Sequence, residues 1–347
     1  MPALGEGDIY MQNMSEQELK KRIFSTAEDS FSALALDVFR YQHAQNSFYR
    51  SYCDLLRIDP TTVLSPENIP FLPIQFFKSA EIKTGEFTPE LIFESSGTTG
   101  SVNSRHLVKE KEIYEESFLK GFDLFYGSHK NLCIIGLLPS YLERQNSSLV
   151  YMVKELIERS ENPDSGFYLY DTEKLKGLLQ KNEAAKQPTL LIGVTYALLD
   201  FAEQFPMPLQ YTTIMETGGM KGRREELTRN EVHSILQKAF ATENIHSEYG
   251  MTELLSQAYS KEKGIFFCPP WMRICLRSED DPFDIKFKAK QGERPSTGAI
   301  NIIDLANLYS CSFIATDDAG KLYADGSFEL LGRLDNSDIR GCSLLAL

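Results

Sequence analysis

The chain has 347 residues and a formal net charge of -13 at neutral pH. That length can bury a large core, in one big domain or two smaller ones. The acidic balance, with no run that concentrates Lys and Arg, argues against nucleic acid or an anionic membrane surface as partner. No apolar stretch approaches the ~20 residues of a spanning helix, and Met1 to Asn13 has no hydrophobic signal core, so the expectation is a cytoplasmic protein without a membrane span. Cys53, Cys133, Cys268, Cys275, Cys311 and Cys342 show neither CxxC pairing nor His-linked zinc spacing, which indicates neither a disulfide framework nor a metal cluster.

Ser15 followed by Glu18 is a capping-box pattern, and Leu19, Ile23, Phe24, Leu34, Leu36, Val38 and Phe39 predict helices through roughly residue 55. Ile69 to Phe77 (IPFLPIQFF) mixes prolines with large apolar groups, which suits an extended buried segment better than a helix. It leads to Glu94–Gly100 (ESSGTTG). There Ser95, Ser96, Thr98 and Thr99 offer hydroxyls, while Gly97 and Gly100 permit positive φ and close approach of backbone N–H groups to an anion. Polar connecting loops share this composition, so the stretch alone does not establish a phosphate site.

From 109 to 216 the pattern alternates. Helical stretches near Glu110 to Phe125 and Ser147 to Arg159 flank apolar runs such as Leu132 to Leu138; Thr189 to Val194 precedes Tyr196 to Phe205, and Tyr211 to Met215 precedes a helix-compatible Glu225 to Phe240. After about 245 the texture is strand-like, with short turn-bounded segments including Trp271 to Leu276, Gly298 to Leu305, Cys311 to Thr316 and Phe328 to Leu331. The expected organisation is a helical N-terminal region (1–60), an α/β core (61–245), a β-rich closing subdomain of that core (246–334) and a short tail (335–347).

Four further polar clusters follow the Ser/Thr/Gly loop in order. Glu216 to Gly219 (ETGG) ends an apolar run with Gly218 and Gly219, whose bare backbone could line a flat ring. Tyr249-Gly250-Met251-Thr252-Glu253 offers a ring to stack on a purine, a hydroxyl for phosphate and a carboxylate able to ligate Mg²⁺. Ala315 to Gly320 (ATDDAG) and Gly332 to Asp335 (GRLD) add acceptors for ribose hydroxyls and an arginine for phosphate. Each has an ordinary surface-turn reading; their joint order is what points to a nucleotide. No GxxxxGK loop is present, and the five histidines form no metal spacing. His106 and His246 sit beside the proposed phosphate and adenine segments, where a structural role fits as well as a catalytic one.

This order of clusters resembles the adenylate-forming superfamily of acyl-CoA ligases, firefly luciferase and peptide-synthetase adenylation domains. IPFLPIQFFK (69–78), SSGTTG with SRH (95–106) and GRLDNSDIRGCSLL (332–345) resemble more closely the acyl-protein synthetase subunit of the bacterial bioluminescence fatty-acid reductase complex. The resemblance implies an α/β fold equivalent to the large N-terminal portion of the superfamily, with ATP and Mg²⁺ as cofactors. It implies that Ser95 to Gly100 surround the phosphates and that Tyr249, Gly250 and the Gly218-Gly219 backbone flank adenine. Thr252 would contact the α-phosphate, Glu253 would ligate Mg²⁺, Asp318 (or Asp317) would bind ribose, and Arg333 would bridge ribose and phosphate. Where the family's loop often continues to a lysine, Ser104, Arg105 and His106 follow here, and Arg105 is the cation assigned to the outer phosphates.

Most superfamily members continue past the GRxD hinge into a mobile C-terminal domain of roughly a hundred residues that carries an adenylation lysine, a size typical of a small domain. Here twelve residues follow Asp335, so neither that domain nor that lysine is expected. The resemblance instead makes Cys342 an acyl acceptor from acyl-AMP, with nearby Arg340 able to favour its thiolate. The implied activity is activation of a carboxylic acid, a fatty acid first, followed by transfer through Cys342 to an acyl-CoA-reductase-like partner. Direct transfer to CoA or pantetheine, and a nucleotide-binding subunit without chemistry, are the alternatives.

Overall fold

A computed structural model describes residues 14–95, 102–138, 146–218, 227–278, 280–289, 292 and 294–334. The first described elements are three helices, α1 (Glu16–Ile23), α2 (Glu28–Gln45) and α3 (Ser47–Leu55). Ser15 and Glu18 form the capping box the sequence predicts, and the Asn46 side chain accepts from Tyr49 N to start α3 without a linker. The extended segment expected over 69–77 is realised only in part. Leu72–Pro73 forms β1, and Phe76–Ser79 then closes one helical turn, α4. Proline at 73 brings no N–H to continue a ladder, and Ile74 N makes the last bond to the sheet, at Ala315 O.

A hairpin of β2 (Leu91–Glu94) and β3 (Arg105–Val108) stands apart from the main sheet. The alternating region follows as α5 (Lys111–Tyr126), β4 (Cys133–Leu137), α6 (Ser148–Ser160), β5 (Gly166–Phe167), α7 (Thr172–Ala185), β6 (Thr189–Val194), α8 (Thr195–Gln204), β7 (Thr212–Thr217), α9 (Arg229–Phe240) and β8 (His246–Tyr249). Every residue of β4 and β6 is buried, as expected for parallel strands covered on both faces. The chain ends its described course in β9 (Ala258–Ser260), β10 (Ile265–Phe267), β11 (Met272–Arg277), β12 (Ile285–Lys286), β13 (Ser296–Asp304), β14 (Phe313–Leu322) and β15 (Phe328–Arg333). β13 and β14, at 9 and 10 residues, are longer than the short strands the sequence suggests.

Among the described residues, one continuous sheet runs β12-β11-β13-β14-β15-β10-β9-β8-β7-β6-β4-β5, and β1 adds to β14. From β8 to β5 the pairing is parallel. From β12 to β8 it is antiparallel. β8 is therefore the hinge strand of the sheet, parallel on one edge and antiparallel on the other. The N-terminal helices cover the antiparallel part: Phe39 and Tyr49 pack on Phe313, with ring centroids 6.2 Å apart in both pairs. Cys53, Cys133, Cys275 and Cys311 are buried core residues.

Candidate active site

In an open sheet of this kind, ligands sit outside the carboxyl ends of the parallel strands. β7 ends at Thr217 and turns at Gly218, whose φ of +69° is the left-handed conformation glycine adopts without strain. Thr195, the first residue of α8 after β6, fixes that turn: its Oγ1 lies 2.6 Å from the Gly218 carbonyl and 3.0 Å from Glu216 Oε2. β8 ends at Tyr249 and runs into Gly250–Glu253. A Cβ at Gly250 would meet Glu248 Oε1, so a larger residue there would displace that carboxylate.

Three predicted residues from distant parts of the chain meet here. The Tyr249 hydroxyl donates to Asp318 Oδ2 at 2.8 Å, and Arg333 Nε lies 3.5 Å from Asp318 Oδ1. Asp318 and Arg333 are register partners across β14 and β15. Burial, and then the Asp318 carboxylate, push the Tyr249 phenol well above its ordinary value, so it remains a donor. Asp317, the alternative to Asp318, accepts from Gln75 Nε2 at 2.5 Å instead.

A second convergence holds the Thr252–Glu253 turn. Ser104 Oγ donates to the Glu253 carboxylate, and Asn307 Nδ2 donates to the Glu253 carbonyl at 2.7 Å. The Thr252 carbonyl lies 2.8 Å from His106 Nδ1, which must carry the proton to serve a carbonyl acceptor. Burial pushes His106 down to about 4, so the ring is neutral and acts as a strut at neutral pH. Ser104 and His106 share one face of β3 and its extension, because side chains alternate along a strand. Arg105 consequently points to the other face, where Glu94 and Glu81 lie 3.9 and 4.0 Å from its guanidinium. The structure does not bring Arg105 to the Thr252–Glu253 turn.

Ser95 is buried, and its hydroxyl accepts from Ser104 N at 2.9 Å, closing the hairpin. The assigned residues Ser96, Gly97, Thr98, Thr99, Gly100, Gly219 and Cys342 lie outside the described residues.

Sequence reasoning missed the scaffold behind this turn. Asp304, fully buried, accepts from Leu255 N (2.8 Å), Ser256 N (3.0 Å), Ser256 Oγ (2.6 Å) and Ala306 N (3.1 Å). Ser256 Oγ meets Ser117 Oγ at 3.0 Å, and Trp271 Nε1 donates toward both hydroxyls. Burial still raises Asp304 to about 6 despite these donors. It missed Glu248 as well, whose carboxyl accepts from Thr217 Oγ1 at 2.5 Å and is raised by burial to about 7. Only its place one residue before Tyr249 signalled it. Neighbouring Glu216 is also buried, which raises it, but His233 and Arg229 outweigh burial and hold it below the ordinary value.

Residues 19–346 match the family described as acyl-protein synthetase, LuxE. No curated protein matches the chain. Among solved structures, ATP-bound MatB from Rhodopseudomonas palustris is 18% identical, with a TM-score of 0.51 over 72% of this chain and 49% of its own. A 2-hydroxyisobutyryl-CoA ligase in the postadenylation state, in complex with 2-HIB-AMP, is 10% identical, with a TM-score of 0.58 over 92% of this chain and 71% of its own. At these identities the likeness is one of fold: the mixed α/β architecture is that of the adenylate-forming ligases. The chain spans about half the length of MatB. With a single family description running from α1 past β15, the chain belongs to the LuxE acyl-protein synthetase family.

Proposed function

We propose that the protein activates a carboxylic acid, a fatty acid first, with ATP, takes the acyl group onto Cys342 and passes it to an acyl-reductase partner. The observation that carries the reading is the meeting of Tyr249, Asp318 and Arg333 beside the carboxyl ends of the parallel strands. Family membership supports it, and so do the ATP in MatB and the 2-HIB-AMP in the CoA ligase, proteins of the same fold.

Asp318, oriented by Tyr249 and Arg333, offers its carboxylate to ribose hydroxyls, and Arg333 offers a cation toward phosphate. Tyr249, Gly218, Gly219 and Gly250 flank adenine, Thr252 meets the α-phosphate, and Ser95, Ser96, Gly97, Thr98, Thr99 and Gly100 surround the remaining phosphates. Arg105 serves them only if its side chain leaves Glu94 and Glu81. Glu253 suits Mg²⁺: it is a hard oxygen donor held by Ser104 and, through its backbone, by Asn307. Mg²⁺ is commonly bound by one or two carboxylates plus substrate phosphates, and no denser cluster of ligating residues occurs among the described residues. When bound, the ion would neutralise charge on the departing pyrophosphate.

The substrate carboxylate oxygen attacks the α-phosphorus and the bond to pyrophosphate breaks, giving a mixed anhydride. The Cys342 thiolate then attacks the acyl carbon, the bond to AMP breaks, and a thioester forms. With labelled fatty acid and ATP, Cys342→Ser is expected to lose hydroxylamine-sensitive labelling and keep acid-dependent ATP–pyrophosphate exchange. Equal labelling of both proteins would refute the carrier role, a CoA thioester as product would favour direct transfer, and ATP binding without exchange would remove the enzymatic reading.

A further inference from the structure

A cavity of about 840 Å³ lies against β14, lined in part by Ala315 and Asp317. Asp317 lines it, whereas Asp318, the next residue, meets Tyr249 and Arg333. Its lining includes none of Tyr249, Thr252, Glu253, Asp318 and Arg333, so the cavity and the candidate active site share β14 but not these residues. The volume lies within the range of small-molecule sites.

Leu56, Ile58, Val63, Ile69, Phe71 and Ile285 form apolar stretches of a wall that is polar elsewhere. One end is polar. Arg277 donates from Nη1 to Ile300 O (3.1 Å) and Asn301 Oδ1 (2.6 Å), and from Nη2 to Thr316 O (2.7 Å). Those bonds use three of the five N–H groups of a guanidinium, all on neutral acceptors. Asn301 is fully buried, and its Nδ2 has no hydrogen-bond partner among the described residues. Asp317, beside this end, is held by Gln75.

Charge decides what the polar end can take. Arg57 and Arg277 line the cavity together with Asp59, Glu67 and Asp317. The lining has no positive excess to repay the desolvation of an anion, and Arg277 disfavours a cation at the polar end. A hydroxyl suits both neighbours, since it accepts from Arg277 and donates to Asp317. Among the lining residues, Phe283 is 55% exposed and offers an apolar surface to solvent.

We propose that this cavity binds an uncharged aliphatic alcohol, its hydroxyl between Arg277 and Asp317 and its chain along the apolar stretches of the wall, at a site separate from the nucleotide-facing one.

The test uses the full chain, with 1-decanol as probe and ligand-observed NMR as readout. Saturable one-to-one binding that ATP leaves unchanged is expected, with decanoate displacing the alcohol only at concentrations roughly tenfold higher. Val63→Trp, which fills the wall, is expected to abolish binding while retaining the wild-type circular dichroism spectrum. Asp317→Asn removes a carboxylate from the polar end, so it is expected to narrow the gap between alcohol and decanoate, and it decides the matter if Val63→Trp does not fold. No saturable binding of 1-decanol, displacement by ATP, tighter binding of decanoate than of the alcohol, undiminished binding by folded Val63→Trp, or an unchanged gap in Asp317→Asn would each overturn the proposal.

Discussion

The 2.8 Å hydrogen bond from Tyr249 to Asp318 sets the direction of the carboxylate assigned to ribose. Tyr249→Phe keeps the ring and removes only that donor. A hydrogen bond to a charged group is worth about 1.5–3 kcal/mol, so the KM for ATP in pyrophosphate exchange is expected to rise at least about tenfold, with a smaller change in kcat. An unchanged KM would separate Asp318 from the nucleotide. Glu248, one residue earlier, controls pH dependence instead. Burial lifts its folded pKa to about 7 from 4.5, so the stability tied to its proton is complete below about 4.5 and is lost as pH rises through about 7. Glu248→Gln does not titrate. Its stability relative to the wild type is expected to improve between pH 5 and pH 8 by on the order of 2 kcal/mol, measured by urea unfolding at each pH. A difference independent of pH would show that Glu248 has an ordinary pKa.

At the scale of elements, the β14–β15 pair carries both Asp318 and Arg333, and it is irregular at that place. The register shifts between Ala319 and Gly320. A Cβ on Gly320 would lie 2.7 Å from Ile300 Cδ1 and 2.8 Å from Glu329 O, so no side chain fits without moving a strand. Gly320→Ala is expected to cost about 1–3 kcal/mol in urea unfolding and to weaken ATP binding, because the shift falls two residues from Asp318. Full ATP affinity in a destabilised variant would mean that the pair tolerates displacement. This is also where reading from the sequence reached its limit. Thr189–Val194 was legible as a strand because parallel strands are continuous apolar runs, and Ser15/Glu18 as a helix start because capping is local. The TDD and GRLD clusters were legible as chemistry but not as strand partners, since register depends on neighbours far along the chain. Arg105 was chosen for its charge. Its direction is set by strand alternation in a hairpin that the composition of residues 91–108 did not announce.

At the scale of the molecule, the N-terminal helices and the candidate site are joined through buried polar contacts that carry no periodic signal. Gln42, fully buried in α2, donates from Nε2 to Asn307 O (2.9 Å), Leu308 O (3.0 Å) and Ser312 Oγ (3.1 Å), and its Oε1 accepts from Ser312 N (2.9 Å). Asn307, in the turn so held, donates to the Glu253 carbonyl. Gln42→Ala would strand several buried polar groups and leave a cavity, at a cost of about 3 kcal/mol or more. The chain has one tryptophan, Trp271, and its indole N–H lies in the network around Ser256 and Asp304. Trp271 fluorescence therefore reports the scaffold of the site, while far-UV circular dichroism reports the helices and strands together. If α2 and the site form one cooperative unit, Gln42→Ala lowers the urea midpoint of both signals equally and reduces pyrophosphate exchange, although Gln42 touches no residue assigned to ATP. A circular dichroism transition that moves while the Trp271 transition stays at its wild-type midpoint would show that the helices unfold separately, and that Glu253 is held without them.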